Sequence, residues 1–125
     1  MVRLNRYTWF RIYSGYDDNF AHVVSSGGDG CIAALSNVFP KLCSEWVDAV
    51  EHGNMERTMQ IQQIVDELMD FYVISNPFMP AMKYGLSVIG IPFPVACKRP
   101  ALEVTEGQKQ MVDKMLKEII LKIRK

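Results

Sequence analysis

The fold is decided by two stretches near the start of the chain: F-R-I-Y-S-G-Y-D-D-N-F, from Phe10 to Phe20, and G-G-D-G-C-I-A-A-L-S-N, from Gly27 to Asn37. Each contains a buried strand whose C-terminal end opens into a polar loop with glycine. Enzymes of the α/β class present their ligand-binding groups in this way, at the carboxyl ends of parallel strands. The two stretches therefore predict a parallel strand pair whose loops carry a binding site.

The predicted strands are Thr8–Ser14, where aromatic and β-branched residues alternate, and Cys31–Leu35, a short apolar run typical of a strand buried on both faces. Between them, Asp18–Ser26 has the pattern of a short helix. Two parallel strands alone leave backbone donors and acceptors unpaired along both edges. The sequence therefore indicates the end of an α/β fold whose open edges are covered by a missing segment or by a second copy.

Four helices are predicted after the second strand, because apolar residues recur there at spacings of three and four. The expected boundary residues are Asn37 and Pro40 at the start of the first helix and Gly53 at its end, Asn54 and Asn76-Pro77 for the second, Pro80 and Gly90 for the third, and a capping box of Thr105 and Gln108 for the last. The predicted fold class is α/β but mostly helical by residue count. Residues 1–53 hold the strand units and residues 54–125 form a helical region.

Charge and hydropathy exclude several classes of protein. The 125 residues include 14 basic and 14 acidic side chains, so no net field would attract nucleic acid or an anionic membrane. The longest apolar stretch, Val88–Cys97, is broken by Pro92 and Pro94 and cannot span a bilayer. The amino terminus is basic but lacks the apolar run of a signal peptide. We therefore expect one cytoplasmic domain with no nucleic-acid and no membrane partner.

Cysteine and histidine spacing indicates no metal site. Cys31, Cys43 and Cys97 are odd in number and form no C-x-x-C pair, and His22 and His52 stand at no metal-ligand spacing. This pattern is typical of reduced thiols in the cytosol. We expect neither a metal nor a cofactor.

The segments Tyr13–Asp18 and Gly27–Asn37 together resemble the last two strands of the dihydrodipicolinate synthase and N-acetylneuraminate lyase family. The helical remainder is similar to that family as well, including Pro77–Leu86 and the terminal helix. The resemblance covers nearly all of this chain but less than half of a family member. It implies the C-terminal portion of a (β/α)8 TIM barrel, namely its last two βα units, followed by a helical C-terminal region, in a homo-oligomer.

Members of that family make or break carbon–carbon bonds next to pyruvate through a Schiff base on lysine. The Gly-Tyr-Asp-Asp form of the first loop resembles sialic acid lyases and 2-keto-3-deoxy sugar acid aldolases more than the synthases. Carried over by motif, Gly15, Asp17 and Asp18 are implied to bind substrate hydroxyls of a small-molecule 2-oxo acid, and Ile32 to line the pocket near the imine through its backbone. Sialic acid lyases have a serine at the position of Ala34, which argues against sialic acid as the substrate.

The same resemblance implies that the Schiff-base lysine and the proton-relay tyrosine lie on strands that would precede Met1. An imine-forming lysine needs a desolvated pocket and a nearby acid–base group. The sequence indicates neither for Lys41, in the first turn of a predicted helix, nor for Lys83, in the middle of another. We therefore expect no catalytic residue here and no turnover by this chain alone, as a fragment or truncated member of the family.

Other interpretations of the same features stay open. Asp17 and Asp18 also suit the start of a helix, where acids interact favourably with the helix dipole. Cys31 has no neighbouring histidine and suits a small core residue. For the whole chain, the alternatives to an enzyme fragment are a non-catalytic module for self-association or partner binding, derived from that fold, and a non-functional remnant.

Overall fold

The structure, a computed structural model, describes residues 9–124, which divide after Asp66 into two compact units. The elements in chain order are β1 (Tyr13–Ser14), a 3-10 turn (Asp17–Asn19), α1 (Phe20–Ser25), β2 (Gly30–Cys31), a second 3-10 turn (Leu35–Asn37), α2 (Pro40–Glu51), α3 (Met55–Leu68), α4 (Phe71–Ile74), α5 (Met79–Val88) and α6 (Glu106–Ile123). Most described residues are helical, as the fold class predicts. Within the described range, no helix combines the length and the apolar character needed to cross a membrane.

The two strands pair in parallel, with Tyr13 opposite Gly30 and Ser14 opposite Cys31. This confirms the parallel pair, but both strands are shorter than predicted. β1 covers only the end of the predicted strand, whose first residue, Thr8, lies outside the described residues. β2 stops at Cys31, so the strand predicted to Leu35 was wrong there. Leu35 instead enters a 3-10 turn, because its N–H bonds to a carboxylate from the first loop and not to a neighbouring strand.

The first unit builds its core where α1 and α2 meet the sheet. The rings of Phe20 on α1 and Trp46 on α2 pack edge to face with centroids 4.9 Å apart. The buried apolar residues of this unit are Ile12, Phe20, Leu35, Val38, Leu42, Trp46, Ala49, Ile61 and Val65. This core lies against α1 and α2 and leaves the carboxyl ends of the strands free for loops.

Of the helix caps predicted in the first unit, one is present and one is not. Asn54 Oδ1 accepts a hydrogen bond from Arg57 N at 3.1 Å, which confirms the predicted cap of α3. The predicted cap of α2 was wrong, because Phe39 holds that position. Asn37 ends the 3-10 turn instead, and its amide donates to the carbonyl oxygen of Ala34 at 2.9 Å. Gly53 follows α2 with φ of +67°, a conformation that favours glycine.

The second unit is helical and packs α4 and α5 against α6. Thr105 Oγ1 accepts from Gln108 N at 3.3 Å and Gln108 Oε1 accepts from Thr105 N at 2.9 Å, which confirms the predicted capping box. Its buried apolar residues are Leu68, Phe71, Ile74, Ala81, Met82, Leu86, Val112, Met115, Leu116 and Ile119. The predicted second long helix is divided into α3 and α4, so its apolar stripe belongs to two elements.

Candidate functional site

The loops that follow β1 and β2 meet at the carboxyl ends of the strands. Ser14 Oγ donates to the carbonyl oxygen of Tyr16 at 3.1 Å, and Cys31 Sγ donates to the same oxygen at 3.5 Å. The parallel pairing places both loops at one edge of the sheet, because the carboxyl ends of parallel strands lie together. The two loops that the sequence predicts to carry a site thus come together, although their residues are far apart in the chain.

Asp17 joins the two loops. Its side chain is 2% exposed, its Oδ1 accepts from Leu35 N at 3.1 Å, and its Oδ2 lies 3.4 Å from Ala34 N. The carboxylate therefore satisfies the first N–H groups of the second 3-10 turn, in the way that a helix cap does. Sequence reasoning assigned Asp17 to substrate hydroxyls and did not find this role, since nothing in the sequence pairs residues 17 and 35.

Asp18 has different surroundings although it is the next residue. It is half-buried, and within residues 9–124 the hydrogen bond of its carboxylate is the 3.3 Å one from Asn19 Nδ2. Its backbone carbonyl accepts from Gln62 Nε2 at 2.9 Å, which fixes the main chain without using the side chain. The Asp18 carboxylate can therefore accept hydrogen bonds from a ligand.

Gly15 and Ile32 complete the predicted set. Gly15 is exposed, and a Cβ built on it would meet no heavy atom within 4 Å. The side chain of Ile32 is 72% exposed, while its N–H donates to the carbonyl oxygen of Ser14 at 2.9 Å as part of the strand pairing. Ile32 thus presents its side chain at the surface and its backbone N–H to β1.

A groove of about 440 Å³ lies between β2, α1 and α2. Its wall includes Asp17, Cys31, Cys43, Trp46 and Val47, whereas Gly15, Asp18 and Ile32 are not among its lining residues. The helical spacing of apolar residues on α2 predicts that Trp46 is a packing residue, and the structure confirms its burial, but sequence reasoning did not find the groove itself. Trp46 is 3% exposed, and its Nε1 has no hydrogen-bond acceptor among the residues that the structure describes.

The thiols of this groove are poor nucleophiles. Burial raises the pKa of Cys43 to about 11, and burial also raises the pKa of Cys31. Both favour the neutral thiol at neutral pH, so neither is suited to nucleophilic catalysis. Across the described part of the chain, no three His, Cys, Asp or Glu side chains are grouped so as to hold a metal ion.

Asp29 fixes the other end of the strand pair. Its Oδ1 accepts from Arg11 Nη1 at 2.6 Å and its Oδ2 accepts from Ile12 N at 2.8 Å, while its own N–H donates to the carbonyl oxygen of Ile12 at 2.7 Å. Bonding to Asp29 raises the pKa of the Arg11 guanidinium. The register of the strands, and hence of the two loops, is held at this end by Asp29.

Comparison with known proteins identifies the family that shares this arrangement. The family model of the dihydrodipicolinate synthetase family matches residues 2–119. The chain belongs to the dihydrodipicolinate synthetase family. The resemblance noted in the sequence is thereby confirmed at the level of the family.

Three of its relatives show how much of the family this chain represents. The probable 2-dehydro-3-deoxy-D-pentonate aldolase YjhH of Escherichia coli K12 is 30% identical over 107 residues, which are 86% of this chain and 36% of YjhH. The 4-hydroxy-tetrahydrodipicolinate synthase of Gluconobacter oxydans is 33% identical over 113 residues, 90% of this chain and 37% of the synthase. The crystal structure of YagE, a prophage protein of the same family from E. coli K12, in complex with pyruvate, superposes with a TM-score of 0.84 at 25% identity over 90% of this chain and 38% of YagE. The chain spans little more than a third of the length of these relatives.

Proposed function

We propose that these residues are the last two βα units and the C-terminal helical region of a (β/α)8 barrel in a pyruvate-dependent aldolase or lyase. In this proposal residues 1–53 form the βα units and residues 54–125 the helical region. The observation that carries it is the parallel pairing of β1 and β2 with polar loops at their carboxyl ends, in a chain of this family. Such loops hold the active sites of barrel enzymes.

The substrate that we propose is a 2-keto-3-deoxy sugar acid or a related 2-oxo acid. Asp18 supplies hydrogen-bond acceptors to its hydroxyls, because its carboxylate is accessible and sparsely bonded. Gly15 and the backbone of Ile32 border the same end of the strands. Asp17, which we also assign to the site, acts there by holding the second loop. Similarity to the pentonate aldolase YjhH supports this substrate class.

The Schiff-base lysine, in this proposal, comes from residues outside these 125. No lysine among the residues that the structure describes lines the groove. Lys83 Nζ donates to the carbonyl oxygen of Ala96 at 2.8 Å, and Lys41 is exposed. An imine-forming lysine needs a desolvated pocket, which these positions do not offer. The 125-residue chain alone is therefore expected to be inactive.

Borohydride reduction tests whether the Schiff-base lysine lies outside these 125 residues. The chain is incubated with pyruvate and sodium borohydride, and the intact mass is measured, with YagE as the positive control. We expect reduced pyruvate to be trapped on YagE and not on the 125-residue chain.

A chimera provides a second test. The part of YagE that matches this chain is replaced by it, and cleavage of a 2-keto-3-deoxy sugar acid is then measured. A trapped adduct on the 125-residue chain, or a folded chimera without cleavage activity, would contradict the proposal.

We also propose a cytoplasmic homo-oligomer. All three cysteines are free thiols, in keeping with a reducing compartment. The second unit exposes large apolar side chains that self-association would cover, namely Val73, Met79, Leu102, Met111 and Leu121. Light scattering at several concentrations tests the assembly, and a monomer at all of them would contradict it.

A further inference from the structure

We propose that Gln62, in the middle of α3, is a positioning residue for the ligand-binding carboxylate of Asp18. It acts through the backbone of the first loop and does not touch the substrate itself. This inference rests on the proposed function, since that function assigns the substrate hydroxyls to Asp18. It adds α3 to a site that the sequence predicts on the two loops alone.

The carboxylate of Asp18 depends on its own backbone for its orientation. Within residues 9–124 its hydrogen bond comes from Asn19 Nδ2 at 3.3 Å, and Asn19 is an exposed member of the same 3-10 turn. A partner in the same turn moves with the turn and cannot hold it in place. The direction in which Asp18 presents its oxygens therefore follows from the contacts that fix the main chain of this turn.

The turn is fixed from two sides. Asp17 ties it to the second loop, because its Oδ1 accepts from Leu35 N at 3.1 Å. Gln62 ties the next residue to α3, because its Nε2 donates to the carbonyl oxygen of Asp18 at 2.9 Å, across 44 positions of the chain. The helix is a firm base for this contact, since its residues Ile61 and Val65 are 0% and 1% exposed. Loss of the bond would let the Asp18 peptide rotate, and its side chain with it.

An amide is the group that this position requires. Gln62 Nε2 also donates to Asp66 Oδ1 at 2.7 Å, one turn further along α3. The two partners, a backbone carbonyl and an ionised carboxylate, can only accept hydrogen bonds. The group between them must therefore offer two N–H donors, as the NH₂ of glutamine does. Asp66 thus orients the amide so that a donor faces the first loop.

The YagE chimera tests whether this contact sets substrate affinity. Gln62→Met keeps the length of the side chain and removes its donors. We expect it to raise KM for a 2-keto-3-deoxy sugar acid by about fivefold at unchanged kcat, the equivalent of one neutral hydrogen bond. Pyruvate offers Asp18 no hydroxyl, so the pyruvate concentration that gives half-maximal borohydride trapping should not change. Gln62→Lys, which keeps donors for both acceptors, should restore most of the affinity.

Two comparisons separate positioning from a contribution to stability alone. Gln60→Met removes hydrogen bonds of the same kind from the same helix, to Glu56 and Arg57, and should leave KM unchanged. In an Asp18→Asn background, Gln62→Met should change KM by less than about twofold, because its effect passes through the Asp18 carboxylate. A contribution to stability alone would give the same change in both backgrounds.

NMR on the 125-residue chain tests the contact without turnover. The ¹³C signal of the Asp18 carbonyl should shift in Gln62→Met and stay in place in Gln60→Met. The three-bond couplings of the Asp18 Cβ protons should become averaged in Gln62→Met, because the side chain then samples several rotamers.

Three results would overturn the proposal: an Asp18 carbonyl signal that does not respond to Gln62→Met, a rise in KM that is equally large in the Asp18→Asn background, and an equal loss of affinity for pyruvate. An inactive chimera, together with an Asp18 carbonyl signal that responds, would refute the aldolase function and leave the hold of Gln62 on the first loop intact. An active chimera in which Gln62→Met leaves KM unchanged would refute the positioning role alone.

Discussion

Replacing Asp17 by alanine tests how the two loops of the site are held together. The buried Oδ1 accepts from Leu35 N at 3.1 Å, and a hydrogen bond to a charged group contributes about 1.5–3 kcal/mol. The contact of Oδ2 with Ala34 N at 3.4 Å is longer and contributes less. Alanine also leaves both N–H groups without this acceptor. We expect Asp17→Ala to lower the free energy of unfolding of the first unit by about 3 kcal/mol, and Asp17→Asn, which keeps one oxygen, by about half as much.

Urea unfolding followed by Trp46 fluorescence, in a Trp9→Phe background, measures this change. Trp46 is suited as the reporter because it is 3% exposed and belongs to the same unit as Asp17. Asp18→Ala is the matched control, since its half-buried carboxylate bonds only to exposed Asn19 in residues 9–124, and its effect should stay within about 0.5 kcal/mol. The proposed link between the loops is refuted if Asp17→Ala costs under about 1 kcal/mol, or if both alanine variants lose equal stability.

Three further predictions concern packing, capping and thiol reactivity. Gly85→Ala should destabilise the second unit by about 1–3 kcal/mol in thermal unfolding, because a Cβ there would lie 2.8 Å from the Phe71 ring, whereas Gly107→Ala meets open space and should not destabilise it. Thr105→Ala should cost about 1 kcal/mol through loss of the capping box, and Thr105→Ser should retain most of it; equal losses would contradict the role of the hydroxyl. With the other two cysteines changed to serine, alkylation of Cys43 by iodoacetamide should keep rising with pH towards its pKa of about 11, and a plateau near pH 9 would be inconsistent with burial of this thiol.

The sequence predicts well those features that depend on neighbouring residues. The capping box of Thr105 and the cap at Asn54 follow from side chains that bond to a backbone three residues ahead. The parallel pairing was also predictable, because each strand is followed by its own polar loop and is joined to the next by a short helix. The family followed from the same two stretches.

Features that depend on distant residues were not predictable in the same way. Leu35 is apolar and was therefore assigned to a strand, but the Asp17 carboxylate, 18 positions earlier, draws its N–H into a 3-10 turn. Likewise, the spacing of Trp46 on α2 indicates only that it is buried. Whether its N–H finds an acceptor depends on which segments surround the helix, and periodicity contains no information about that.

The Asp17–Asp18 pair shows what this means for function. The family motif implies that both carboxylates contact substrate. The 3-10 turn that begins at Asp17 nevertheless gives them different environments. The Asp17 carboxylate is 2% exposed and bonded to backbone, whereas that of Asp18 is half-buried and accessible. We therefore expect substitutions of the two residues to have different effects in the YagE chimera. Asp18→Asn should raise KM for a 2-keto-3-deoxy sugar acid by about tenfold at unchanged stability, the effect of losing one charged hydrogen bond. Asp17→Asn should lower stability as described above. The variant should therefore lose its activity at a urea concentration well below the unfolding midpoint of the parent chimera. If Asp18→Asn leaves KM unchanged while Asp17→Asn raises it in a fully folded chimera, Asp17 is the residue that meets the substrate and its bonds to the second loop are secondary.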